Sequence, residues 1–156
     1  MPPSSFPMLY QQVNGFLYER FQNDPAIKGL FPNEIVRVYP NMAPLQVEFP
    51  YIVTLLEILE HGPEDAVVRG TFDISCYSSG PTSLKSERIA EAFHRLFDHQ
   101  VFREAVADPD DENNPDKDAF FSLQLYPTFS RPVGTENPNV HRHDIGWQLH
   151  IGRLQD

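Results

Sequence analysis

His141-x-His143, with Asp144 beside it and His150 further along, is the one cluster in this 156-residue chain whose residue types and spacing suit a metal ion. Two imidazoles at i and i+2 on an extended backbone point the same way, which is how a sheet presents nitrogen donors to a zinc-like ion. The same alternation turns His150 to the opposite face, and no Glu follows at the short spacing that such sheet sites use. Polar residues where a strand begins after a loop account for the pair without a metal. Asp73 with Glu57 or Glu60 could form a carboxylate pair across a hairpin and do acid–base work, although solvated charges on a strand face are the commoner arrangement. Ser75-Cys76 offers a nucleophile only if the thiol is exposed, and Cys76 falls on the apolar side of its strand. The 8 Gly are scattered singly, with neither P-loop nor dinucleotide spacing. No catalytic residue, cofactor or metal ligand is assigned, and the expectation is a protein that is not an enzyme.

The elements that must position these residues are legible from periodicity. In residues 66–78, Val68, Phe72, Ile74 and Cys76 fall on one face of an extended chain, and Arg69, Thr71, Asp73, Ser75 and Tyr77 on the other. Residues 47–60 read as a strand from the β-branched run Ile52-Val53-Thr54, joined to 66–78 as a hairpin through the short turn at 61–65. After Gly80-Pro81, Thr82 or Ser83 caps a helix over 86–97, with Ile89, Phe93, Leu96 and Phe97 as its buried stripe and Glu91 and Arg95 paired outside. A first helix over 5–21 carries Phe6, Leu9, Tyr10, Val13, Leu17 and Phe21, and Asn23-Asp24-Pro25 ends it. Phe16 and Tyr18 lie off that stripe, an aromatic surplus that hints at a partner. A short strand over 35–39 stops at Pro40; Phe121, Leu123 and Leu125 alternate in a strand that Pro127 ends; and His143, Ile145, Trp147, Leu149 and Ile151 alternate in the last one.

About five strands and two helices, with the strands grouped as hairpins, predict an α+β fold: one layer of mostly antiparallel sheet with the helices packed on it. A single domain over 1–156 is expected, with loops at 108–118 and 130–139 as insertions. Residues 108–118 hold six acids and one Lys and cannot bury themselves. The chain as a whole has 22 acidic and 12 basic side chains, a formal charge of −10 that disfavours phosphate backbones. One Cys suits a reducing compartment, and neither a leader nor a membrane-spanning run is read in the sequence.

Four stretches carry a resemblance: Phe49-Pro50-Tyr51-Ile52 opening a strand, Phe72-Asp73-Ile74-Ser75-Cys76-Tyr77-Ser78, Arg88-Ile89-Ala90-Glu91-Ala92 in a helix, and Asp144-Ile145-Gly146-Trp147-Gln148-Leu149 in the closing strand. Together they resemble the tail-completion or tail-terminator proteins of long-tailed bacteriophages, prophages and gene-transfer particles. The resemblance implies a structural virion subunit that forms a ring, usually a hexamer. Such a ring caps the tail tube, contacts the tube protein and offers a surface to the head-side connector, while DNA passes without specific binding. On this reading Arg69, Thr71, Asp73 and Tyr77 are candidates for the ring or tube interface, and Asp110, Asp111, Glu112, Asp116 and Asp118 for the lumen or a ring neighbour. A Pro-rich start, the acidic insertion and the 130–139 loop depart from the pattern and leave a head-to-tail adaptor at another neck position as the alternative. From other classes, a small metal-dependent enzyme using His141 and His143, and a monomeric binding module, also stand as alternatives.

Overall fold

A computed structural model describes residues 6–59, 67–106 and 119–153. The acidic candidates Asp110, Asp111, Glu112, Asp116 and Asp118 lie outside the described residues, as does Glu60. In chain order the elements are α1 (Phe6–Gln22), α2 (Pro25–Lys28), a 3-10 turn (Pro32–Glu34), β1 (Val38–Pro40), β2 (Tyr51–Ile58), β3 (Val67–Ser79), α3 (Leu84–Phe97), β4 (Val101–Val106), β5 (Ala119–Val133) and β6 (Val140–Arg153). The strands form one sheet in the order β1-β2-β3-β6-β5-β4. Only the β1–β2 pairing is parallel; the others are antiparallel. The architecture is the α+β layer that the sequence predicts.

The strict alternation of β3 explains why it lies inside the sheet. Val68, Phe72, Ile74 and Cys76 are wholly buried, while Arg69, Thr71, Asp73, Ser75 and Tyr77 lie on the other face. Phe72 stands opposite Leu56 on β2 and Trp147 on β6, so three strands deliver apolar side chains to one face. The helices cover that face. From α1 come Leu9, Val13, Leu17 and Phe21, and from α3 come Ile89, Phe93 and Phe97, all buried. Phe97 meets Phe72, Trp147 and Phe102 edge-on, at centroid distances of 6.2, 5.5 and 6.3 Å. Leu96 is only half-buried. Among the described residues no helix is long and apolar enough to cross a membrane.

The aromatic surplus of α1 is used inside the chain. Phe16 packs its edge on Phe102 at 5.2 Å, and the Tyr18 hydroxyl lies 2.7 Å from that of Thr54, a buried polar side chain on β2. Ser83 does stand at the N-cap of α3, but its hydroxyl donates to the Glu87 carboxylate (2.9 Å) instead of accepting from the backbone. At the other end of α3, Asp98 Oδ1 accepts from Trp147 Nε1 (2.7 Å) and lies 2.9 Å from His94 Nδ1, fastening the helix to β6.

Three expectations about the elements are corrected. The sheet has six strands, because residues 101–106, in the Pro-free stretch 82–107 where the sequence places its second helix, form β4. β5 does not end at Pro127 but runs on to Val133, with a register irregularity between Pro127 and Phe129, so the predicted 130–139 loop shrinks to 134–139. β1 includes Pro40 instead of stopping before it. The two proline errors share a cause. β1 is an edge strand, and β5 pairs with β4 only as far as Gln124, so beyond that point its outer side is also an edge where a missing N–H costs no ladder bond.

Candidate interaction face

With the helices on one side, no described element covers the opposite face of β2, β3, β6 and β5. Arg69, Thr71, Asp73 and Tyr77 all stand on it, as the alternation predicts, Arg69 exposed and the other three half-buried. Around Tyr77 the face is aromatic: Tyr51 stacks on it with centroids 4.7 Å apart and planes 10° from parallel, while Tyr39 and Phe49 pack on Tyr51. Arg142 lies over the Tyr77 ring at 5.6 Å and donates twice to Asp144, from Nε to Oδ1 and from a terminal nitrogen to Oδ2, each at 2.8 Å. A two-point guanidinium–carboxylate pair of this kind fixes both side chains.

Asp73 has no such partner. It makes no hydrogen bond or ion pair among the described residues, and burial, with the nearby charges of Glu57 and Asp144, pushes its carboxyl above the usual carboxylate range. Its neighbour across the strand is Gly146, where a Cβ would run into the Phe129 ring and come 2.5 Å from Asp73 Oδ1. Glycine is thus needed there for Phe129 to lie flat on the sheet beside the carboxylate. The result is a groove of about 350 Å³, with Leu55, Asp73, Tyr77, Phe129, Arg131 and Arg142 among its lining residues. Asp73 and Glu57 do share this face, but Asp73 faces Leu55 and Glu57 faces Thr71 across the β2–β3 pair, and no hydrogen bond joins the two carboxylates.

The other candidates are used elsewhere. His141 Nε2 lies 2.9 Å from the Gly80 carbonyl, which can only accept, so that nitrogen carries the proton. His143 Nε2 lies 2.8 Å from the Ser130 hydroxyl, and its imidazolium form is disfavoured chiefly by burial. Asp144 and His150 fall on the opposite face, Asp144 with Arg142 and His150 beside Tyr126 at 4.9 Å. Among the described residues no group of three or more His, Cys, Asp and Glu is placed to hold a metal ion. Cys76 is wholly buried, and burial pushes its thiol well up, away from the reactive thiolate.

Sequence reasoning named the β3 side of this face and missed Tyr51, Phe129, Arg131 and Arg142. Arg142 and Asp144 could have been found by carrying the alternation of Ile145, Trp147 and Leu149 back through β6. Phe129 was hidden behind Pro127.

No protein-family profile matches the chain, and no curated protein does. Solved structures do. A chain of the virion of a native gene transfer agent particle superimposes with a TM-score of 0.61 at 13% identity, covering 87% of this chain and 91% of its own. A second solved chain, 11% identical, covers 92% of this one and 96% of itself, also with a TM-score of 0.61. At such identities the likeness establishes a shared fold.

Proposed function

We propose that this chain is a structural subunit of a phage-like particle, a tail terminator that self-associates into a ring, caps the tail tube and meets the head-side connector. The observation that carries the reading is the likeness to a gene-transfer-agent virion chain over nearly the whole of both chains. The open sheet face supports it: a subunit in which no described element covers one side of the sheet has a surface for a neighbour, and Arg69, Thr71, Asp73 and Tyr77 stand there. In this role the protein works by shape and association, not by bond chemistry, and the engagement of His141 and His143 with Gly80 and Ser130 accords with that. A formal charge of −10 keeps a passing DNA backbone from sticking. The nearest alternative within the class is an adaptor at another neck position.

Polymerising the cognate tube protein with and without this chain tests the proposal. Capped tubes of limited length, with the chain at one end by immunogold electron microscopy, are the expected result. Tubes that grow on unchanged, with no chain at their ends, would overturn it.

A further inference from the structure

A closed ring joins two different surfaces of each subunit. The Asp73 groove is one candidate surface, and the pairing of charges within the chain points to the other. Among the cations whose side chains are described, Arg37 is bound to Glu48, Arg95 to Glu91 and Arg142 to Asp144, while Arg20 lies over Phe16 and Phe102 and Arg131 over Phe129. Lys28, Lys85 and Arg88, of α2 and α3 on the helix side of the sheet, and Arg69, exposed on the open face, have no hydrogen bond or ion pair among the described residues. Arg88 lines a shallow cavity of about 300 Å³ between those helices, with Ala26, Leu30 and Ala92 as apolar lining. Among the described residues the groove thus holds a carboxylate, Asp73, that no cation contacts, and the helix layer holds a guanidinium, Arg88, that no carboxylate contacts.

We propose that Arg88 of one copy enters the Asp73 groove of the next, joining subunits front to back, helix layer onto open sheet face. The inference rests on the ring reading above and adds the residues that close it. Guanidinium suits the groove because its planar fork can meet both oxygens of the Asp73 carboxylate at once. The opposite charge also offsets the crowding of Glu57 and Asp144 around Asp73.

The test is charge reversal followed by sedimentation velocity on the full chain. Asp73→Arg and Arg88→Glu, each alone, are expected to weaken self-association at least about tenfold, and the double variant to restore it. Asp73→Asn, which keeps the shape of the side chain, guards against misfolding and should weaken association as Asp73→Arg does, with circular dichroism unchanged. Association unaffected by either site, or unrestored in a folded double variant, overturns the proposal. Loss with Asp73→Asn but not with Arg88→Glu gives the groove to a cation of another protein and overturns it as well. A chain that stays at 17.9 kDa at millimolar concentration yet still caps tubes overturns the contact and leaves the terminator reading standing.

Discussion

Asp73 is held where a carboxylate is costly, and that cost has a definite pH dependence. Its folded-state pKa is raised, first by burial and then by Glu57 and Asp144. The stability it contributes is present below the unfolded value of about 3.9 and is lost as pH rises through the higher folded value. At neutral pH the charged side chain therefore opposes folding of the isolated subunit. Asp73→Asn should raise the melting temperature at pH 7 and lose that advantage below about pH 4. Equal melting shifts at the two pH values would show that the charge is not the cause. His143 behaves with the opposite sign. Its pKa is lowered by burial and by His94, against the raising influence of Glu87 and Asp144, so its contribution is present above about 6.5 and is lost as pH falls through the folded value. His143→Gln, which can keep a hydrogen bond to Ser130, should flatten the loss of stability between about pH 7 and pH 5 in urea titrations. A slope as steep as that of the parent would refute the assignment.

Between the helix layer and the sheet, the most extensive join is α3 against β3 and β6, and Phe97 is its centre. It is wholly buried and touches rings from α3, β3, β4 and β6. Phe97→Ala should cost about 3–5 kcal/mol by chemical denaturation, and Leu96→Ala, one step round the helix and half exposed, clearly less. Similar costs at both positions would mean that the helix packs differently. This join was legible in the sequence because its parts repeat: β3 alternates without interruption, β6 alternates from His143 to Ile151, and α3 keeps its apolar stripe. What lay between was not. The chain leaves α3 at Asp98 and turns at His99, which adopts a left-handed φ of 57° with no glycine to announce it. Residues 101–106 then lack any breaker that separates them from the helix. In β5, Pro127 and Pro132 read as stops because strand position is invisible locally; only the finished sheet reveals that this length of β5 has a free edge. The open face was legible from β3 alone, whereas its groove depends on Phe129 lying over Gly146, two residues brought together by the register of β5 on β6.

For the whole molecule, two electrostatic effects would act on the proposed self-association with opposite dependence on salt. Each copy carries a formal −10, so copies repel one another at long range. That repulsion acts over distances that 0.1–0.15 M salt screens, since the Debye length there is about 8–10 Å. The attraction between Arg88 and Asp73 in a groove acts at contact range, where salt screens less. Raising salt from about 0.01 M to 0.15 M should therefore tighten association, and raising it further towards 1 M should loosen it as the contact pair is screened in turn. Arg88→Glu should keep the first trend and lose the second, because it retains the negative charge of the whole and removes the pair. Sedimentation velocity across the salt series decides the matter. Association that falls steadily from the lowest salt would mean that attraction between oppositely charged patches outweighs the net charge even at long range.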